Sequence, residues 1–158
     1  MAKPLYPSNP ETLCLNHQTK VLVNGAFDVL HNGHLNLLMY AKMLGYVICA
    51  IDTDERIQNA KGFDRPFNNL ATRAKLLSRI KDVDEVWSFD SDEELIDLMR
   101  RADVRVIGSD WRGKEIVGEH LVDIHFYERV NNESTTKTIE DYLNRRKLLG
   151  LLQMWDGK

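Results

Sequence analysis

Cysteine is scarce in this chain: only Cys14 and Cys49 occur among its 158 residues. Two thiols are too few for a disulfide framework and fit a reducing compartment in which cysteines stay free. Cys49 lies within an apolar run and reads as an inert core residue. Long apolar stretches are lacking as well, none approaching the roughly 20 residues that span a bilayer. Met1-Ala2-Lys3-Pro4 leads into prolines and polar residues, without a signal-peptide core. A cytoplasmic location with no membrane span is therefore expected. Nor is there an excess of positive charge. The formal net charge of -3 supplies no general attraction for nucleic acid or anionic membranes, so a small-molecule partner is favoured over a polynucleotide.

What the chain does contain is an alternation of apolar runs with segments of helical period, the signature of strands joined by helical crossovers. Val21-Leu22-Val23, Tyr46 to Ile51, Val86 to Phe89, Val104 to Ile107 and Val122 to Phe126 read as strands. Between them fall helices from His34 to Leu44, through Leu70, Ala74, Leu77 and Ile80, and through Leu95, Leu98 and Met99 behind a Ser91 or Asp92 cap. The predicted fold is a single α/β domain, doubly wound around a mostly five-stranded parallel sheet. Residues 1–18 read as an N-terminal arm, with a helix start at Asn9-Pro10-Glu11. The domain proper covers 19–140. Residues 141–158 form a helical extension continuing from a start near Thr136, its apolar Leu148 to Trp155 end docking on the domain or a second subunit. In such sheets ligands bind beyond the carboxyl ends of strands near the topological switch.

The loop after the first strand reads Asn24-Gly25-Ala26-Phe27-Asp28-Val29-Leu30-His31-Asn32-Gly33-His34. A glycine after a strand lets backbone amides approach a ligand, and a helix opening near Gly33 aims unpaired N–H groups and its positive dipole end at the same place. That combination suits phosphate. Two histidines three residues apart straddle the helix start and can donate to one phosphoryl group as charge builds. A zinc pair is the alternative, but zinc wants three or four ligands and neither cysteine is near in sequence. Elsewhere, Lys61, Arg65 and Arg73 follow the second strand and suit the phosphates of a nucleotide and an acceptor.

Gly25-x-Phe27-Asp28-x-x-His31-x-Gly33-His34 resembles the signature of the cytidylyltransferase-like nucleotidyltransferases, whose HxGH box follows the first strand. A second signature of that family, hydroxyl residues opening a late helix, is matched by Ser134-Thr135-Thr136. The resemblance implies a Rossmann-like fold, a homodimer, and Mg2+ arriving with the nucleoside triphosphate, with no metal held by protein side chains alone. It also implies roles: His31, His34, Lys61 and Arg129 for catalysis, and Gly25, Ala26, Phe27, Asp28, Gly33, Ser134, Thr135 and Thr136 for the nucleotide. Asp110 and Trp111 fall in the loop that lies against the base in this family, while Arg65 and Arg73 are left for the acceptor.

Substrate signals divide. Lys61-Gly62-x-Asp64-Arg65-Pro66-x-Asn68 with Ser88-Phe89 resembles the heptose-1-phosphate adenylyltransferases, which use ATP; Asp110-Trp111-x-Gly113-Lys114 and Arg129 look more like the glycerol-3-phosphate cytidylyltransferases, which use CTP. The reading leans to CTP and a polyol phosphate, with Asn132-Glu133 departing from the Gly-Ile that precedes Ser-Thr-Thr in the cytidylyl enzymes. A non-catalytic nucleotide-binding regulator is the alternative of another class.

Overall fold

The computed structural model describes residues 19–128, 137 and 139–147, together with the backbone of residues 3–6. The expected helix start at Asn9-Pro10-Glu11, Cys14, Arg129, the Ser134-Thr135-Thr136 signature and the apolar end of the chain lie outside the described residues. The elements are strands β1 (Lys3–Tyr6), β2 (Lys20–Gly25), β3 (Tyr46–Asp52), β4 (Glu85–Phe89), β5 (Val104–Gly108) and β6 (Asp123–Tyr127). With them stand helices α1 (Asn32–Leu44), α2 (Asp54–Lys61), α3 (Leu70–Leu77) and α4 (Asp92–Met99), and residues 139–147 are also helical.

The sheet order is β1-β4-β3-β2-β5-β6, with β2 to β6 all parallel to their neighbours and β1 antiparallel on β4. The five expected parallel strands are thus present, and the sixth is an edge strand that the periodicity did not mark. Pro4 argues against a strand in general, but an edge position tolerates a residue that cannot donate to the ladder. Its pairing with Trp87 is followed by a register shift before Tyr6.

Alternation along each parallel strand builds a core on each face. Val21, Val23, Val47, Cys49 and Ile51 pack with Leu38 and Ala41 of α1 and Ala74 and Leu77 of α3. Leu22, Ile48 and Ala50 face the other way, onto Leu95, Leu98 and Met99 of α4. Cys49 is 0% exposed and burial pushes its thiol well above the usual range. Thiol reagents should therefore leave Cys49 unlabelled in the native protein and modify it only after unfolding, as peptide mapping by mass spectrometry would show.

Side chains cap the helices. Thr53 accepts from Arg56 N, Asn69 from Thr72 N and Ser91 from Glu94 N, each satisfying an amide that the helix leaves unpaired. Between α1 and β3, Gly45 closes the turn so tightly that a Cβ there would stand 2.1 Å from the backbone oxygen of Thr19. That oxygen accepts from Tyr46 N at 2.9 Å and cannot retreat without loosening the start of β3. Gly45→Ala should cost about 1–3 kcal/mol of stability, read from chemical denaturation.

Candidate active site

Strand order reverses at β2, whose neighbours are β3 on one side and β5 on the other. A cavity of about 880 Å³ opens there, beyond the carboxyl ends of the strands, lined from the two loops on either side of the switch. It brings together Gly25, Ala26, Phe27, Asp28, His31, His34, Lys61, Arg65, Asp110 and Trp111 from the sequence-predicted set. Gly33 is not on its wall but supplies the first turn of α1.

His31 is the N-cap of α1, its Nδ1 accepting from Gly33 N at 3.1 Å. An imidazole nitrogen that accepts carries no proton, so in the neutral ring the proton resides on Nε2. His34 sits one turn on, its ring centroid 3.9 Å from that of His31 and 5.1 Å from that of Phe27. Phe27 itself has φ of 46°, a left-handed conformation that a bulky residue adopts only where its surroundings impose it. The surroundings here are those of a core residue, with the ring 3% exposed. The constrained turn thus sets the His34 ring, and with it the stacked pair, beside a fixed aromatic side chain.

Asp28 is 1% exposed and wholly engaged. Its carboxylate accepts from Arg65 Nε at 3.1 Å, Phe67 N at 2.9 Å and Asn68 N at 2.8 Å, and its carbonyl accepts from Asn68 Nδ2 at 2.8 Å. These bonds fasten the segment after α2 to the histidine loop. Lys61 is the last residue of α2, at a helix C-terminus. The only buried residue of that helix is Ile57, so it carries almost no apolar periodicity to betray it.

Arg73 is not brought to the cavity. It is 0% exposed, donating to Asn68 O at 3.0 Å, Ala26 O at 2.7 Å and Asp54 Oδ1 at 2.6 Å beneath the loops. Its expected contact with an acceptor gives way to a bracing role, because every bonded nitrogen is turned toward protein. Trp111 is 47% exposed at the rim, with Lys114 Nζ 5.5 Å from its ring centroid.

Several lining residues escaped the sequence reading. Arg56 donates to Asp52 at 2.9 Å and Asp92 at 2.6 Å. Burial raises Asp52 above the ordinary carboxylate value despite Arg56 beside it. Burial pulls Arg56 down, but its hydrogen bonds to Asp92 and Asp52 prevail and leave it raised. Asn24 and Arg105 line the cavity from adjacent strands. A lone cation inside the apolar run Val104 to Ile107 is the signal that could have pointed to Arg105. Among the described residues, no three His, Cys, Asp or Glu side chains converge as a metal site.

A parallel sheet with a glycine turn, a histidine-capped helix and a cavity at its switch point defines a doubly wound α/β domain with its candidate ligand site at the switch. The chain belongs to the cytidylyltransferase-like family, whose model matches residues 22–150, and it is a nucleotidyltransferase. It is 40% identical over 124 residues to the bifunctional protein HldE of a Nitratiruptor species, covering 76% of this chain and 27% of that protein. To HldE of Helicobacter hepaticus it is 39% identical over 132 residues, covering 81% and 27%. The chain thus spans about a quarter of the length of these relatives. Among solved structures, the lipopolysaccharide core biosynthesis protein from Thermoplasma volcanium superposes with a TM-score of 0.56 at 19% identity, covering 73% of this chain and 98% of that one, a likeness of fold. Among the described residues, no helix is long and apolar enough to cross a membrane.

Proposed function

We propose that the chain is an adenylyltransferase acting on a sugar 1-phosphate of the heptose type. The observation that carries this reading is the attachment of Arg65, Phe67 and Asn68 to Asp28. The segment that resembles the heptose-1-phosphate adenylyltransferases is thereby built into the wall of the histidine site. Of the residues behind the expectation of CTP and glycerol 3-phosphate, Asp110 and Trp111 line the same cavity, Trp111 half exposed at its rim. The two HldE relatives share one name, and neither is named as a glycerol-phosphate enzyme.

In the reaction an acceptor phosphate oxygen attacks the α-phosphorus of the nucleotide. The bond from that phosphorus to its bridging oxygen breaks, and pyrophosphate leaves. No covalent enzyme intermediate is needed, so positioning and charge stabilisation supply the acceleration. His31, through Nε2, and His34 donate to the α-phosphate oxygens as charge accumulates, while the α1 N-terminus adds its amides. Lys61 provides a point charge at the cavity wall. Mg2+ accompanying the triphosphate would supply charge neutralisation at the phosphates, with few groups of this chain needed to hold it.

Pyrophosphate release should be measured with ATP and CTP separately, each against heptose 1-phosphate and glycerol 3-phosphate. ATP with heptose 1-phosphate is expected to give the highest kcat/KM. Turnover only with CTP and glycerol 3-phosphate would restore the cytidylyl reading. Nucleotide binding by calorimetry with no release from any pair would favour the regulatory protein.

A further inference from the structure

Arg105 occupies an unusual place for a cation. It lies in the middle of β5, 5% exposed, with Leu22 and Ile124 as its partners on the flanking strands. Burying a guanidinium is costly unless a carboxylate or several acceptors compensate it. The other arginines on the cavity have such carboxylates: Arg56 has Asp52 and Asp92, and Arg65 has Asp28. Among the described residues, Arg105 makes only neutral contacts. Its Nε donates to Asn24 Oδ1 at 2.9 Å and its Nη1 to Val117 O at 2.7 Å, with Met99 S 3.6 Å from the same nitrogen. Burial brings its pKa down to about 10, which still leaves it charged at neutral pH.

Those bonds fix the plane of the guanidinium and, among the described residues, leave Nη2 without a protein acceptor. The side chain forms part of the cavity wall, next to Asn24, the residue immediately before the glycine turn of the histidine loop. A fixed, uncompensated fork beside a phosphate-gripping turn is suited to an anion that arrives from outside. In the transfer reading above, the α1 N-terminus and the histidines take the nucleotide's α-phosphate on the α1 face of the sheet. Arg105 emerges on the opposite face, where it touches Met99 of the α4-side core.

We propose that Arg105 binds the phosphate group of the acceptor, making the cavity wall between β2 and β5 an acceptor-phosphate subsite. This rests on the nucleotidyl-transfer reading above and adds to it a residue that discriminates acceptors by their anionic group. Asn24 is its positioning residue, holding Nε so that the outer edge of the fork faces the cavity.

The test uses the whole chain carrying Arg105→Met or Arg105→Lys, with the non-hydrolysable analogue of ATP bridged by a methylene between its α- and β-phosphorus. Calorimetry reads analogue affinity alone, then inorganic phosphate affinity in the analogue-loaded protein, with acetate as a second anion. Arg105→Met is expected to weaken phosphate by at least tenfold and leave analogue affinity within about twofold. Arg105→Lys should fall between Arg105→Met and the native chain. In turnover, KM for the acceptor should rise at least tenfold in Arg105→Met with KM for the nucleotide unchanged. Loss of analogue affinity instead would assign Arg105 to the nucleotide and overturn the proposal. So would native phosphate affinity in a folded Arg105→Met protein, or acetate binding as tightly as phosphate to the native chain. If Arg105→Met does not fold, the same readouts on Arg105→Lys decide. Failure of the native chain to bind the analogue is a separate result that counts against the transferase reading, since phosphate binding can still be measured without nucleotide.

Discussion

His34→Ala is expected to lower kcat for pyrophosphate release by about 10²–10³-fold, the usual cost of removing one donor from a site that stabilises developing negative charge. The histidine ring lies between two neighbours, 3.9 Å from His31 and 5.1 Å from Phe27 by centroid. It is held there by the start of α1 and by the constrained turn at Phe27, so the donor is in place before the substrate arrives. Preorganisation of this kind acts on the transition state more than on the ground state. The fall should therefore appear mainly in kcat, with nucleotide affinity changing by less than about tenfold. His34→Asn keeps a donor of shorter reach and should retain part of the rate. Unchanged turnover in a folded His34→Ala protein would remove the histidine pair from the chemistry.

Much of this site was legible in the sequence because its signal is local. A glycine after a strand, a histidine as helix cap and a second histidine one turn on all fall within Gly25 to His34, so spacing alone places them together. The parallel strands were legible for a similar reason. Fully buried strands such as β3, with Val47 to Ile51 inside, read as continuous apolar runs.

What the sequence left open has a different cause, which is that a charge reveals nothing of its partner. Lys61, Arg65 and Arg73 follow one another closely and look alike in sequence. The fold sends Lys61 to the cavity wall, ties Arg65 to Asp28, and sinks Arg73 beneath the loops. Each outcome depends on residues far away in the chain, Asp28 being 37 positions from Arg65. Helix α2 escaped because its amphipathic pattern is almost absent and its stability derives from the Thr53 cap, acidic first-turn residues and the Arg56 contacts. Strand β1 escaped because its partner, β4, lies far downstream, beyond the reach of local pattern.

Arg73→Met tests the bracing role that replaces the predicted acceptor contact. Methionine fills much of the arginine stem's volume while deleting the guanidinium, so the change isolates the polar contacts from the packing. Three bonds vanish: to Ala26 O in the histidine loop, to Asn68 O in the segment that Asp28 holds, and to Asp54 Oδ1 at the start of α2. Two partly buried carbonyls lose donors and Asp54 loses its counter-ion, although its side chain, 35% exposed, regains water. Breaking a buried pair costs about 3–5 kcal/mol, and the partial exposure of Asp54 favours the lower end, about 3. For a chain of this length that is a fall of roughly 6–12 °C in Tm. Because the bonds join the histidine loop to the loop after α2, KM for nucleotide and acceptor should rise together in the variant. An arginine that met the acceptor directly would give the opposite pattern, with acceptor KM raised, nucleotide KM steady and Tm little changed.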